Sequence, residues 1–229
     1  MLVTIISWNC CGKFRVKYKQ LMQFNSDILV IQECEDPTIV KGFDSLLNHY
    51  PYYVWRGNSK DKGLGIFSKR SLMELEWESH LLTHFIPVSV DNCFVLLGVW
   101  ACGLYIDGYA IYQSINSSHF NKDMVIIGDF NSNTRWDYKG QRKQTGRSHS
   151  DVVNWLQSRG LISAYHNIYG IEQGKEIVFT FYLYRHKDKG SHIDYCFVSA
   201  DKLVNFTILD AEAWLNYSDH IPIIVNVTH

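Results

Sequence analysis

MVIIGDFN, residues 124–131, is an unbroken apolar run that ends on Asp129 and Asn131, two groups suited to phosphate and metal chemistry. TIISWN (4–9) has the same polarity and closes on Asn9, as does DILVIQE (27–33), which closes on Glu33. Two further runs reverse the order. SHIDYCFV (191–198) opens on His192 and Asp194, and SDHIPIIVNV (218–227) opens on Asp219 and His220. Unbroken apolar runs of this length read as strands buried on both faces. If the last two lie antiparallel to the first three, every polar end meets at one rim, and this is the arrangement the pattern predicts.

Carboxylates gathered at one rim repel one another unless a cation or a proton separates them. The groups on offer are carboxylate and amide oxygens rather than paired cysteines and histidines. A hard divalent ion, Mg2+ or Mn2+, therefore fits better than zinc.

In chain order the polar ends read Trp8-Asn9, Gln32-Glu33, Gly128 to Asn131, Ile193 to Tyr195 and Ser218 to His220. With that set the chain resembles the endonuclease/exonuclease/phosphatase superfamily, which includes apurinic endonucleases, deoxyribonuclease I and inositol polyphosphate 5-phosphatases. The resemblance spans nearly the whole chain and implies an α/β four-layer sandwich, with two packed, mainly antiparallel or mixed β-sheets flanked by helices. It also implies a metal-dependent phosphoesterase, most concretely a nuclease that hydrolyses phosphodiester bonds of DNA or RNA by metal-assisted attack of water.

Glu33 resembles the family's principal metal ligand, and Asp219 is expected near the metal. Asn9 is expected to orient Glu33 or touch the ion; its alternative is to cap the strand through backbone bonds. By the same resemblance Asp129 positions or deprotonates the attacking water and Asn131 donates to the phosphate, with Gly128 allowing the tight turn between strand and loop. Phosphoryl transfer also needs a group to meet charge on the nonbridging oxygens and to manage a proton, and His220 is the candidate. Asp194 is expected to fix its tautomer and raise its proton affinity. Base and cationic stabiliser both remain open as descriptions of His220.

His192 lies two positions before Asp194, so both are expected on one strand face, with phosphate contact as the role of His192. One departure from the family stands out. Many members carry a histidine or tyrosine phosphate ligand after the long central strand, and here that strand ends GVWAC. Trp100 offers one N–H donor and no charge, so either Tyr105 or Tyr109 reaches in or the contact is missing. Glu35 and Asp36, just before Pro37, read as solvated loop charges. His84, His149, His166 and His186 read as surface or structural residues.

With 229 residues, 46% of them hydrophobic, and only four prolines, the chain suits one α/β domain over residues 1–229. The longest apolar stretches, such as CFVLLGVWAC (93–102), are too short to span a bilayer, and no cationic segment precedes MLVTII, so neither a membrane nor an export signal is expected. Six cysteines in or beside strands, including Cys10 and Cys11, are expected as free thiols in a reducing, cytoplasmic setting. Strands are predicted near 2–8, 27–32, 63–68, 93–100, 124–128, 193–198 and 221–227. Helices are predicted over Phe14 to Phe24, over Gly103 to Phe120, and from a Ser148 or Ser150 cap to Gly160.

The net charge of −1 gives no global attraction to nucleic acid. Arg135, Lys139, Arg142, Lys143 and Arg147 nevertheless cluster just after the GDFN loop, where Trp136 and Tyr138 are placed to stack on bases; Tyr184, Arg185, Lys187 and Lys189 form a second such stretch. The competing reading of both is a solvated basic loop. Two alternatives to a nuclease stay open: a small-molecule phosphatase of the same fold, and a catalytically silent binding module. Silence is disfavoured because Glu33, Asp129 and His220 are all present. Oligomeric state is not legible.

Overall fold

In the computed structural model, which describes residues 1–137 and 147–229, the apolar runs form the interior strands of two six-stranded sheets. The elements in order are β1 (Leu2–Asn9), α1 (Phe14–Lys17), β2 (Ile28–Cys34), α2 (Asp44–His49), β3 (Tyr52–Ser59), β4 (Lys62–Ser68), β5 (Leu72–Glu74), β6 (Phe85–Val90) and β7 (Phe94–Trp100). They continue with α3 (Tyr105–Ile115), β8 (Met124–Asp129), α4 (His149–Ser158), β9 (Ile162–Ser163), α5 (Ala164–Tyr169), β10 (Phe181–Tyr182) and β11 (Gly190–Ser191). The last four are β12 (Asp194–Val198), β13 (Leu203–Ile208), α6 (Ala211–Trp214) and β14 (Ile223–Thr228).

One sheet runs β13-β14-β1-β2-β4-β3 and the other β5-β6-β7-β8-β12-β9; β10 and β11 form a separate ribbon. As the sequence predicts, β14 lies antiparallel to β1, and β12 lies antiparallel to β8. The pairs β1–β2 and β7–β8 are parallel. The polar ends of all five runs therefore come to one rim.

Alternate residues of each interior strand feed different apolar layers, which is why the runs read as unbroken. In β8, Val125 and Ile127 face the space between the sheets, joined there by Val30, Ile66, Leu96 and Val225. Met124 and Ile126 face outward, against Tyr109 and Tyr112 of α3 and Val152 and Leu156 of α4. On the far side, Ile6 and Trp8 of β1 pack beneath Phe14, Leu46, Tyr50 and Trp214. The order is helix, sheet, sheet, helix: four layers.

Local chemistry explains the helix ends. Ser148 caps α4, accepting from the Asp151 N–H while the Asp151 carboxylate accepts from the Ser148 N–H, a reciprocal box. The helix expected over Phe14 to Phe24 is instead a single α turn followed by 3₁₀ turns at Tyr18–Gln20 and Met22–Phe24. Lys13 stands at its N-cap in the left-handed region with no side-chain bond, and no acidic residue supports its first turn. Among the described residues, no helix is long and apolar enough to cross a membrane.

Candidate active site

Sheet two, which holds β8 and β12, contributes Asp129 and Asp194. Gly128 has φ +151°, and a Cβ there would lie 1.9 Å from the Val99 carbonyl oxygen, so only glycine lets β8 run this close to β7. Asp129 follows it, fully buried, at the strand end. Asn131 takes a left-handed φ of +48° and folds back: its N–H donates to Asp129 Oδ1 at 2.8 Å and its Nδ2 to Oδ2 at 2.9 Å. Asp129 is paired with Asp194 on β12 and with Trp100 on β7, so Trp100, Asp129 and Asp194 form one row facing the gap between the sheets. Thr180 fixes the start of β12 by accepting from the N–H groups of both Ile193 and Asp194 at 3.0 Å.

Sheet one closes the site from the opposite side. Asn9, at the end of β1, donates through Nδ2 to Asp129 Oδ2 at 3.0 Å and to Glu33 Oε1 at 3.4 Å, while its Oδ1 accepts from the Cys11 N–H at 3.1 Å. One amide thus bridges the two sheets. Glu33 is the extra residue of a β-bulge, since Gln32 and Cys34 pair with Leu64 and Gly63 of β4 and Glu33 between them takes φ +57°. A bulge re-aims a side chain out of the ladder, and here the carboxylate turns to the rim, where Lys62 Nζ lies 2.6 Å from Oε2.

The turn before β14 is stapled onto the end of β1. Ser218 Oγ donates to the Asn9 carbonyl at 2.7 Å and accepts from the His220 N–H at 3.1 Å, and Trp8 Nε1 donates to the His220 carbonyl at 2.9 Å. Asp219 stays partly exposed. Partial burial of the Cys11 thiol, followed by the charges of Asp219 and Glu33, raises its pKa.

His220 Nδ1 lies 3.0 Å from Asp194 Oδ2, its Nε2 is 4.0 Å from Asp129 Oδ2, and its ring packs on Phe181 with centroids 4.8 Å apart. Burial pushes the Asp129 carboxyl up, the His220 charge pulls it down and the Asp194 charge pushes it up again, leaving it at about 7. Burial pushes His220 down, but the charges of Asp194 and Asp129 and the Asp194 hydrogen bond outweigh it and bring it up to about 9. At neutral pH the ring is a cation held between the Asp194 carboxylate and an Asp129 carboxyl that is about half ionised. Among the described residues, Asp129, Asp194 and His220 are the group whose ligand atoms all lie within 4.8 Å of one another. The imidazolium offsets one carboxylate charge of this cluster and occupies the space between the two groups, which leaves Glu33 and Asp219, the less buried carboxylates of the rim, as the more accessible oxygen donors.

Not every candidate from the sequence comes to this point. His192 precedes β12, and its ring packs against Tyr165 (4.4 Å) and Tyr195 (4.9 Å), on the strand face opposite Asp194. The Thr180 bond to two successive N–H groups bends the chain there and defeats the simple alternation. Tyr109 is a core residue between Phe85 and Phe130, while Tyr105 is exposed at the first residue of α3. Arg135 donates to the carbonyls of Gly174 (2.6 Å) and Glu176 (2.9 Å) and so pins the 174–176 segment. Trp136 is half-buried in the same 3₁₀ turn, Thr134–Trp136. Arg142 and Lys143, with Tyr138 and Lys139, lie outside the described residues. Glu35 and Asp36 are not solvated: Glu35 is buried against Arg15, and Asp36 Oδ1 accepts from the Thr38 N–H and hydroxyl. Lys62, Thr180 and Phe181 also reach the site, and none of them lies in one of the five runs with a polar end.

His192 belongs to a buried polar cluster with His149, His166 and Glu176, and this cluster predicts acid lability. Burial holds His149 down at about 4 and His192 at about 3. An unfolded histidine takes up its proton near pH 6.5, so between that pH and the folded value the unfolded chain binds more protons and stability falls as pH falls. Each histidine contributes about 2–3 kcal/mol of such loss by pH 4. Asp129 is shifted the other way and opposes the effect over part of this window. The cluster is therefore read as a difference: urea midpoints of wild type should drop more between pH 6.5 and 4.5 than those of His192→Gln, and parallel profiles would refute the assignment.

The family model for the Endonuclease/Exonuclease/phosphatase family matches residues 6–220. Comparison with curated protein sequences gives no match. Among solved structures, the chain is similar to a variant of the 3′ phosphatase NExo from Neisseria bound to a product DNA hairpin, at 20% identity and a TM-score of 0.71 over 99% of this chain and 100% of that one. It is similar also to an AP endonuclease from Archaeoglobus fulgidus (18% identity, TM-score 0.71, 97% of this chain and 98% of that one). A third is the AP endonuclease LMAP from Leishmania major (15% identity, TM-score 0.69, 100% of this chain and 88% of that one). These likenesses establish the fold. With the family model running from β1 to His220 and so covering the whole rim, the chain belongs to the Endonuclease/Exonuclease/phosphatase family.

Proposed function

We propose that the protein is a divalent-metal-dependent phosphodiesterase that hydrolyses DNA or RNA. The observation that carries this reading is the continuous contact path Glu33–Asn9–Asp129–His220–Asp194 across both sheets, which joins the carboxylate we assign to the metal with the histidine we assign to proton handling. Nucleic acid is favoured as substrate by the similar structures, which include a 3′ phosphatase bound to a DNA hairpin and an AP endonuclease.

Glu33 and Asp219, carboxylates on a partly open rim, suit a hard ion such as Mg2+ or Mn2+, and the approach of Lys62 to Glu33 marks the same spot as one that favours positive charge. A bound ion would neutralise phosphate charge and polarise the bond to be broken. The chain's own residues do the rest. Asp129, with both oxygens already held by Asn9 and Asn131, accepts a proton from the attacking water. The second Nδ2 hydrogen of Asn131 donates to a nonbridging oxygen. Asp194 holds Nδ1–H of His220 so that Nε2–H faces the developing charge.

All six thiols are free, and Cys10, Cys34 and Cys196 are buried. We infer a reducing, cytoplasmic setting. The function is tested with labelled single-stranded, duplex and abasic DNA, RNA and inositol phosphates, each with Mg2+, Mn2+ or EDTA. Metal-dependent strand scission is expected; release of phosphate from small molecules alone would overturn the reading. Glu33→Gln should require about 10–100-fold more metal for half-maximal rate and show matching weakening in direct Mn2+ titration. Full activity of that variant in EDTA would sink the metal assignment.

A further inference from the structure

Trp100 stands in the row beside Asp129, about one strand spacing (~4.8 Å) away. Beyond it opens a cavity of about 290 Å³ whose walls include Leu82, His84, Trp100, Cys102, Leu104 and Gly108. Its mouth is apolar and strained. Leu81 is 94% exposed at φ +71°, and exposed Leu104 is followed by exposed Tyr105 at φ +52°. Large apolar side chains held out in water on unfavourable backbone are features that cluster at ligand clamps.

The inner end is polar and fixed. The His84 ring meets Trp100 edge-on, with centroids 4.7 Å apart at 64°, and the His84 carbonyl accepts from the Trp100 N–H at 2.9 Å. Cys102 Sγ lies 3.2 Å from His84 Nδ1. Burial pushes the Cys102 thiol up to about 11, so it keeps its proton and donates it, while burial lowers His84 and keeps the ring neutral. With Cys102 donating to Nδ1, the remaining ring hydrogen sits on Nε2, a donor at the cavity wall. Thr83 Oγ1 donates to Asn58 Oδ1 at 3.2 Å, leaving the Asn58 amide hydrogens as further donors. Gly108 completes the wall: a Cβ there would lie 3.1 Å from Leu104 Cβ and 3.7 Å from Leu82 Cδ2. A glycine inside a helix costs about 1 kcal/mol relative to alanine, and this one leaves room at the cavity.

Apolar walls with hydrogen-bond donors at one end suit a planar ring with an acceptor edge, and the volume suits one ring system rather than a whole nucleotide. We propose that this cavity takes one nucleobase of the substrate, adjacent to the phosphate at Asp129, so that the protein reads an unpaired or extruded base beside the bond it cleaves. The proposal rests on the nucleic-acid reading above and gives it a source of specificity in the place where the resemblance leads one to expect a phosphate ligand.

The test is equilibrium binding, in EDTA, of a trinucleotide with central 2-aminopurine and of the same trinucleotide with an abasic centre. Wild type should quench 2-aminopurine and bind it about tenfold tighter than the abasic form. Leu81→Ser/Leu104→Ser, both exposed positions, should lose that preference with unchanged circular dichroism, as should His84→Ala. Asp129→Asn should keep it. Equal binding of the two oligomers, or a preference that survives in the double variant, overturns the proposal. Cleavage on gels with Mg2+ separates the two readings: base-dependent binding without scission refutes the nuclease and spares the cavity, whereas scission without base preference refutes the cavity alone.

Discussion

Asp129→Asn should lower turnover by about 10²–10⁴-fold, the range a positioned general base supplies, and His220→Ala should fall as far. The aspartate substitution is more disruptive than its size suggests. Oδ2 accepts from Asn9 and Asn131 side chains and Oδ1 from the Asn131 N–H, so an amide turned either way sets its NH2 against a donor. That mismatch costs about 1–3 kcal/mol, offset in part because a buried carboxylate is removed. Rates should therefore be measured beside thermal unfolding, and wild-type turnover in a folded variant would disprove the site. The pH profile gives a second reading. Activity of wild type should rise as the Asp129 carboxyl, at about 7, ionises and decline as His220, at about 9, loses its proton. Both limbs belong to the coupled cluster rather than to either residue alone, and a cation at Glu33 should move the acid limb down. A profile flat from pH 6 to 10 would remove proton transfer at this cluster from the mechanism.

Gly128→Ala should cost about 4 kcal/mol or more, at the extreme of single substitutions. The new methyl would lie 1.9 Å from Val99 O and 2.7 Å from its carbonyl carbon, all of it backbone in the middle of sheet two. Nothing there is the movable end of a side chain, so β7 and β8 must part. Gly170→Ala is the control: φ is +63° but nothing lies within 4 Å, so only the left-handed penalty of about 1–2 kcal/mol remains. Urea unfolding of both variants distinguishes steric exclusion from conformational preference, and equal losses would show that the approach of β7 does not decide the residue. Because Asp129 follows directly, any soluble Gly128→Ala protein should also lose about 10²-fold in rate through misplacement of the carboxylate.

The seven strands read from apolar runs are all present, and their polar ends meet because the runs are interior strands with both faces covered. Strands outside that class were not legible. β3 (YYVWRGNS) is an edge strand of mixed exposure, β5 and β13 are edges too, and β6 carries Pro87, which sequence rules treat as a mark against an interior strand. At the site the order of motifs was visible, but direction was not. His192 and Tyr109 carry suitable chemistry and face elsewhere, one because Thr180 bends the entry to β12, the other because α3 turns it onto Phe130. The Glu33 bulge and the Lys62 contact depend on the register of β2 against β4, which no local pattern encodes.

The partner of β1 along one edge is β14, whose residues run in register from Thr228 opposite Leu2 to Ile223 opposite Ser7. During synthesis the first strand must therefore wait, one side unpaired, until β14 has left the ribosome. His220 arrives with that last strand. A nascent chain that still lacks β14 holds Asn9, Glu33 and Asp129 without His220, so the cluster proposed for the chemistry is complete only once β14 has docked on β1.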